Sequence, residues 1–158
     1  MPRTILFVCT GNLCRSPMTE GFFKRRLEEE GKESAYRVRS AGTWAVEGTP
    51  ASPNTIHAMA EHGIDLSKHQ AHLLTVEDVR EADLVVVMEE EHARAILREL
   101  PEEEGKVHLL TEVAGREGDV EDPYGADLAS YRETAGEILA LVEEGFDEIL
   151  RLADQSRR

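Results

Sequence analysis

The chain has 158 residues, of which 41% are hydrophobic and 32% charged, so it can bury one core and is predicted to form a single domain over residues 1–158. Its net charge of -14 opposes binding to nucleic acid and to anionic membranes. No apolar run approaches the roughly 20 residues of a membrane span, and polar residues follow the N-terminus too closely for a secretory signal. A cytoplasmic protein is therefore expected.

Hydrophobic periodicity, with capping and turn residues, predicts strands and helices along the whole chain. Short apolar runs such as residues 84–88 are typical of buried strands, whereas longer segments with an apolar residue every three or four positions are typical of helices. In chain order the predicted elements are a strand over 4–8, a helix over 17–30, a strand over 36–40, a helix over 53–62, a capped helix over 75–82, a strand over 84–88, a helix over 90–100, a strand over 107–110, a polar loop over 111–126 and a helix over 128–152.

The alternation of strands and helices predicts an α/β fold. Right-handed crossovers give an open parallel four-stranded sheet with helices on both faces. Ligands of such sheets bind beyond the carboxyl ends of the strands. The loop that begins at Cys9, directly after the first strand, lies at that edge and is the first candidate site.

This loop has the composition of an anion-binding site. Gly11 and Asn12 tolerate a left-handed backbone, and Ser16 can cap the helix that follows. Backbone N–H groups of the loop can therefore point at one centre and bind a tetrahedral oxyanion. Arg15 adds a guanidinium that can hold two phosphoryl oxygens. The predicted phosphate-binding residues are Thr10, Gly11, Asn12, Leu13, Cys14 and Ser16, with Arg15.

Cys9 is the predicted nucleophile of this loop. The helix N-terminus and Arg15 favour its thiolate form at neutral pH. Cys9 and Cys14 are the two cysteines of the chain, and their spacing differs from that of a CxxC metal half-site. The structural alternative is that Cys9 is a small hydrophobe at the end of a buried strand, in a turn that serves packing or passive phosphate binding.

Phosphoryl transfer to sulfur also requires an acid that protonates the leaving group. Asp122 opens the sequence Asp-Pro-Tyr-Gly in the polar loop after the fourth strand, again at the carboxyl edge of the sheet. Its proline and glycine can fix a turn that presents the carboxyl over the loop. Asp122 is therefore the predicted acid, with Asp119 and Glu121 as rivals.

Other polar features have structural interpretations. The six histidines, His62 among them, lack further ligands at metal spacing, so no metal or other cofactor is expected. The acidic runs at 89–91 and 102–104 are interpreted as solvated helix faces and ends. Abundant charged residues beside few Asn and Gln are typical of thermophile proteins.

The motifs together resemble those of the low-molecular-weight protein-tyrosine phosphatases, and the resemblance spans nearly the full chain. That family carries VCxGNxCRSP near its N-terminus and DPY or DPF near its C-terminus. The matching segments are residues 8–17 (VCTGNLCRSP), 38–43 (VRSAGT), 62–64 (HGI), 82–88 (ADLVVVM) and 122–125 (DPYG). The resemblance implies a flavodoxin-like fold of the phosphotyrosine phosphatase I type.

The resemblance also implies residue roles. Cys9 would be the nucleophile, Arg15 the phosphate ligand and Asp122 the general acid and then base, without a metal. Asn12, Ser16, Ser40 and His62 would form the hydrogen-bonded set that supports the loop, and Ser16 would also stabilise the thiolate. Cys14 would be the redox partner that forms a disulfide with Cys9.

Specificity is expected to depend on an apolar slot formed by Leu13, Trp44 and Tyr124. The family's bacterial protein-arginine phosphatases carry Thr where this chain has Leu13, although the segment around Asp122, with Tyr131 and Thr134, is closer to theirs. The expected activity is hydrolysis of phosphotyrosine and aryl phosphates through a phosphocysteine intermediate. The alternative within the family is phosphoarginine.

Two further alternatives belong to other classes. A thioredoxin-coupled arsenate reductase would need cysteines beyond Cys14, which this chain lacks. A phosphate-binding regulatory module would bind anions without cleaving phosphate esters. The expected partners of the enzyme are phosphotyrosine-containing proteins, a bacterial tyrosine kinase that makes them, and inorganic phosphate as product and inhibitor.

Overall fold

In the computed structural model, which describes residues 1–156, a parallel sheet of four strands separates two layers of helices. The strands are β1 (Arg3–Cys9), β2 (Tyr36–Gly42), β3 (Leu84–Val87) and β4 (Val107–Leu109). The helices are α1 (Arg15–Glu29), α2 (Pro53–Ala60), α3 (Val76–Glu81), α4 (Glu90–Glu99), α5 (Leu110–Val113) and α6 (Leu128–Gln155), and a 3-10 turn spans Pro101–Lys106. Residues 157 and 158, which the single-domain prediction includes, lie outside the described residues. The predicted fold class is confirmed.

Side chains of β1 alternate between two hydrophobic cores. Ile5 and Phe7 face a core that α1, α2, α5 and α6 cover, and Leu6 and Val8 face a second core beneath α3 and α4. All four side chains are almost completely buried. Continuous apolar sequence in β1 therefore follows from burial on both faces, as is usual for a central parallel strand.

Two of the differences between predicted and observed boundaries have a clear physical reason. The predicted loop over 111–126 begins with the short helix α5, because Leu110 turns away from the sheet into the core and Thr111 closes the segment by donating to the Gly118 carbonyl, 2.6 Å away. Helix α1 begins two residues before Pro17, since a proline in the first turn removes no intrahelical hydrogen bond.

The strand order β2-β1-β3-β4 places β1 at the point where the chain changes direction across the sheet. The β1 register pairs Cys9 with Gly42 of β2 and Val8 with Val87 of β3, so three carboxyl ends meet around Cys9. Such a switch point opens a crevice for ligands. Within residues 1–156, no helix has the length and apolar character needed to cross a membrane.

Gly42 is the tightest contact between the sheet and the loop that follows β1. A Cβ atom at this position would lie 2.4 Å from the Thr10 carbonyl oxygen and 2.9 Å from the Asn12 nitrogen. These partners are backbone atoms, which cannot swing aside as a side chain would. The absence of a side chain at Gly42 therefore determines how closely the loop lies on β2.

The substitution Gly42→Ala is expected to lower the free energy of unfolding by about 1–3 kcal/mol, because the new methyl group must displace the loop. The matched control is Gly136→Ala on an exposed turn of α6, where an added Cβ meets no atom within 4 Å. This control should raise the free energy of unfolding by about 0.5–1 kcal/mol through helix propensity. Urea unfolding measures both, and a Gly42→Ala protein as stable as the parent would contradict the packing argument.

Candidate active site

The loop over residues 9–15 directs four of its carbonyl groups outward. Each of four loop carbonyls accepts a hydrogen bond from a group outside the loop. The pairs are Cys9 O with Thr43 N at 3.0 Å, Thr10 O with Trp44 N at 2.9 Å, Asn12 O with His69 Nε2 at 2.8 Å and Leu13 O with Ser52 N at 3.2 Å. Because these carbonyls point outward, the backbone N–H groups of the loop are left to face its concave side. An oxyanion-binding loop requires this arrangement.

Asn12 is the residue around which the loop turns. Its φ of 57° lies in the left-handed region, and it is the one residue other than glycine with a positive φ among the described residues. Its buried side chain donates to Ser16 Oγ (2.7 Å) and Ser40 Oγ (3.0 Å) and accepts the His72 backbone N–H (2.9 Å). With the His69 contact to its carbonyl, Asn12 joins the loop to α1, β2 and the segment before α3.

His62 does not belong to this supporting set, so that expectation is wrong. Its ring packs edge-on against Phe22 of α1, with ring centroids 5.1 Å apart. His69 takes the expected place, because its Nε2–H donates to the Asn12 carbonyl. The sequence offered several histidines in this region, and only the path of the chain after α2 selects His69.

Cys9 is the first residue of the loop and is almost completely buried, with 2% of its surface exposed. Its Sγ is 2.9 Å from Ser16 Oγ, a contact in which the hydroxyl can donate to a thiolate. Ser16 in turn receives the Asn12 amide, which leaves its own hydroxyl hydrogen for the sulfur. The structure thus brings together Cys9, Asn12, Ser16 and Ser40, as the resemblance implies.

Arg15 begins α1 and is 1% exposed. Its Nη1 contacts the Glu89 carboxylate and donates to the Val120 carbonyl at 2.8 Å, and its Nη2 is 3.4 Å from Asp122 Oδ2. Its Nε is buried and has no hydrogen-bond partner among residues 1–156. A buried, unpaired N–H is costly unless a ligand accepts it, so Arg15 is arranged to bind an anion.

The sequence pattern does not distinguish Glu89 as a site residue, because it lies in an acidic run over 89–91 that is interpreted as a solvated helix face. The interpretation holds for Glu90 and Glu91, which are exposed, but is wrong for Glu89, whose side chain is 29% exposed and paired with Arg15. A usable signal was its position, since Glu89 follows β3 at the same sheet edge that Cys9 and Asp122 occupy.

Asp122 faces the same hollow as Cys9. Its Oδ1 accepts the Tyr124 N–H at 3.0 Å, which fixes the turn, and its side chain is 40% exposed. The rival Asp119 is occupied elsewhere, because its carboxylate accepts the Glu90 N–H at 2.9 Å and so binds the start of α4. The rival Glu121 is exposed and does not line the hollow.

The hollow over Cys9 has a volume of about 210 Å³. Its lining residues are Cys9, Thr10, Gly11, Leu13, Cys14, Arg15, Asp122 and Tyr124. Trp44 does not line it, contrary to expectation. Because the Trp44 N–H is bound to the Thr10 carbonyl, its side chain lies beyond Thr10, 83% exposed, on an adjoining hollow of about 360 Å³.

Cys14 is buried near Cys9 in the same core. Its Sγ is 3.3 Å from Ser52 Oγ and 3.8 Å from the Tyr131 hydroxyl. Burial raises the pKa of the Cys14 thiol, so this sulfur stays protonated at neutral pH. Both cysteines are free thiols in the structure.

A nucleophilic sulfur, a buried guanidinium and a carboxyl group converge on one hollow, which is the arrangement required for transfer of a tetrahedral oxyanion group to sulfur. Among residues 1–156 no group of three or more His, Cys, Asp or Glu side chains has the geometry of a metal site.

Comparison with known proteins gives consistent matches. The family model described as low molecular weight phosphotyrosine protein phosphatase matches residues 4–155. The protein-arginine-phosphatase of Bacillus subtilis (strain 168) is 40% identical over 141 residues, which cover 89% of this chain and 92% of that protein.

Two solved structures are also similar. The low molecular weight protein tyrosine phosphatase from T. tengcongensis has a TM-score of 0.87 at 43% identity, covering 92% of this chain and 99% of that one. A cysteine-to-serine mutant of YwlE arginine phosphatase with a phosphorylated active-site serine has a TM-score of 0.87 at 38% identity, covering 94% of this chain and 99% of that one.

Proposed function

The chain belongs to the low molecular weight phosphotyrosine protein phosphatase family and is a protein phosphatase, and from this premise we propose that it hydrolyses phosphotyrosine and aryl phosphates through a phosphocysteine intermediate. The observation that carries the proposal is the convergence of Cys9, Arg15 and Asp122 on one small hollow. The mutant YwlE arginine phosphatase, which carries phosphate on a serine that replaces cysteine, supports a covalent step at this position.

In the first step the Cys9 sulfur attacks phosphorus in line with the P–O bond that breaks. The Ser16 hydroxyl, 2.9 Å from the sulfur, stabilises the thiolate. The bond electrons leave with the bridging oxygen, and the Asp122 carboxyl supplies the proton that this oxygen takes up. Arg15 and the loop amides hold the equatorial oxygens, where negative charge is concentrated.

In the second step water attacks the phosphocysteine. Asp122, now a carboxylate, removes the proton from water, the P–S bond breaks, and Cys9 leaves as thiolate with inorganic phosphate as the other product. Asp122 Oδ2 lies 3.4 Å from Arg15 Nη2, so the acid stands beside the guanidinium that holds the phosphoryl group.

The depth of Cys9 and the walls of the hollow support an aromatic substrate. Cys9 is 2% exposed, so the short side chain of phosphoserine does not reach it. Leu13 and Tyr124 line the hollow and offer apolar contact to a phenyl ring. Phosphoarginine is the second candidate, supported by the 40% identity to the Bacillus subtilis protein-arginine-phosphatase.

The proposal extends to the setting of the enzyme. One phosphatase domain over residues 1–158 would act in the cytoplasm on proteins phosphorylated by a bacterial tyrosine kinase, and inorganic phosphate would inhibit it as the product. Cell fractionation with detection of the protein tests the location, and recovery of the protein in a membrane or secreted fraction would contradict it.

Substitution of the nucleophile and the acid separates their roles. Cys9→Ser should abolish turnover of p-nitrophenyl phosphate and of phosphotyrosine peptides, because a serine alkoxide is not available at neutral pH, while vanadate or phosphate binding persists. Asp122→Ala should lower kcat by roughly 10²–10⁴-fold for poor leaving groups and by less for good ones. Steady-state kinetics across a leaving-group series gives both results. Normal turnover by Cys9→Ser would overturn the mechanism.

Substrate choice can be tested at Leu13. The parent protein is expected to prefer phosphotyrosine over phosphoarginine peptides by roughly 10–200-fold in kcat/KM, with phosphoserine worst, because the gain from burying a ring is a few kcal/mol at most. Leu13→Thr should shift the ratio toward phosphoarginine. A parent preference for phosphoarginine would contradict the phosphotyrosine assignment, and a ratio unmoved by Leu13→Thr would contradict the argument that Leu13 determines the preference.

Redox control can be tested at Cys14. Peroxide is expected to oxidise Cys9 to the sulfenic acid, with reduction of the peroxide, and the Cys14 thiol then displaces water to form a disulfide. Activity lost to peroxide should return with dithiothreitol in the parent protein but not in Cys14→Ser, where further oxidation of Cys9 proceeds. Peptide mapping identifies the bridge. Equal recovery of both proteins would rule out a protective role for Cys14.

A further inference from the structure

Arg15 is part of a closed ring of four hydrogen-bonded residues at the edge of the hollow. Its Nη1 contacts the Glu89 carboxylate, and the Glu89 backbone N–H donates to His92 Nδ1 at 3.0 Å. His92 Nε2 is 2.9 Å from Thr10 Oγ1, and Thr10 Oγ1 is 3.4 Å from Arg15 Nη2. We call these residues, Arg15, Glu89, His92 and Thr10, the four-residue ring.

The hydrogen-bond partners determine the protonation state of His92. A backbone N–H can only donate, so His92 Nδ1 must be an unprotonated acceptor. The proton of the neutral imidazole is then on Nε2, which donates to Thr10 Oγ1. The side chain is 3% exposed, so water does not compete for either nitrogen.

The ring connects α4 to the loop over residues 9–15, called the phosphate loop below. It also restrains both terminal nitrogens of Arg15. Glu89 contacts Nη1 and the Thr10 hydroxyl accepts from Nη2, while Nε is without a partner among the described residues. A guanidinium is planar, so restraints at two nitrogens also determine the direction of the third N–H. The direction of the buried, unpaired Nε–H is thereby held fixed.

We propose that His92 is a positioning residue for phosphate binding, acting through Thr10 and Glu89 to hold the Arg15 guanidinium in its anion-binding orientation. This inference rests on the proposed function, since it concerns the same phosphate site. His92 itself does not line the hollow over Cys9 and touches no substrate there. The ring requires the neutral imidazole, because protonation at Nδ1 would set two N–H groups against each other.

The surroundings of His92 favour that neutral form. The charged groups that face it are Arg15 of the phosphate loop, Glu89 beside its own helix, and Asp119 and Asp122 from the loop before α6. Burial and the Arg15 charge lower the pKa of His92 below its ordinary value, against the opposing effect of the three carboxylates. The ring therefore stays closed at neutral pH and opens only in acid.

A purely structural role for His92 would be to cap the first turn of α4, and His92→Asn separates that role from positioning. An asparagine at 92 keeps an acceptor for the Glu89 N–H. The homologous arrangement exists in α3, where the side chain of Asp78, of the same length, accepts the Thr75 N–H at 2.9 Å. The shorter side chain does not reach Thr10, so only the link to the phosphate loop is lost.

The experiment measures inorganic phosphate binding by calorimetry, thermal unfolding, and kinetics with p-nitrophenyl phosphate. His92→Asn is expected to unfold within about 2 °C of the parent, to bind phosphate about 3–10-fold more weakly and to lose about tenfold in kcat/KM. Thr10→Val should show a similar loss, and Thr10→Ser should restore parent-like binding.

The double variant His92→Asn/Thr10→Val should bind phosphate no more weakly than Thr10→Val alone, since the two residues act through one link. His57→Gln on the exposed side of α2 is the control and should match the parent.

Phosphate affinity of His92→Asn equal to that of the parent, or losses that multiply in the double variant, would overturn the inference. The ratio of parent to His92→Asn phosphate affinity should fall toward one as the pH is lowered from 7 to 5, and a ratio that rises in acid would contradict the neutral-donor geometry. Phosphate binding keeps the test distinct from the proposed function. A parent protein inactive on phosphotyrosine would refute that function, while the binding comparison would still decide the role of His92.

Discussion

The left-handed backbone at Asn12 is the constraint on which the rest of the site depends. A residue with a side chain costs about 1–2 kcal/mol in this conformation. Asn12 donates to Ser16 and Ser40 and accepts from His69 and His72, and these four hydrogen bonds, each contributing about 1 kcal/mol, offset that cost. The turn it produces directs the carbonyls of the loop outward and its amides inward. Cys9, the first residue of the loop, is then buried on the side that the inward-facing amides line.

Local charge, rather than net charge, controls this site. A protein with a net charge of -14 repels anions at long range, yet Arg15 is buried at the start of α1 and offers an unpaired N–H. Glu89 and Asp122 both lie against the guanidinium. These carboxylates compensate the charge of the buried cation.

Sequence patterns were sufficient for the fold and for placing Cys9, Arg15 and Asp122 at one edge of the sheet, because the strands, turns and helix starts involved have short-range signals. Each such signal is local. The apolar runs of β1 and β3, the glycine-asparagine turn and the proline at the helix start each specify the conformation of about ten residues around them. Cys9, Arg15 and Asp122 could be placed together since each follows a strand or lies at the carboxyl edge of the sheet. The same rule places Glu89 at this edge, because Glu89 follows β3. Its acidic neighbours made it look like part of a solvated surface.

The supporting residues could not be predicted in the same way, because they depend on how distant segments pack. His69 rather than His62 contacts the loop since the chain after α2 returns over Asn12, while His62 remains against Phe22. Trp44 is held by its own backbone on the far side of Thr10. His92 has no motif at all, and only the meeting of α4 with the phosphate loop gives it a partner.

The most direct test of this account is the affinity of Asn12→Gly for inorganic phosphate, measured by calorimetry beside the parent protein. Glycine adopts the left-handed backbone without strain but lacks the side chain that joins Ser16, Ser40 and His72. If those contacts organise the loop, the variant should stay folded and bind phosphate at least about tenfold more weakly, the equivalent of one or two hydrogen bonds. Affinity equal to that of the parent would show that the loop needs only its turn, and would contradict the central claim that the Asn12 contacts preorganise the site.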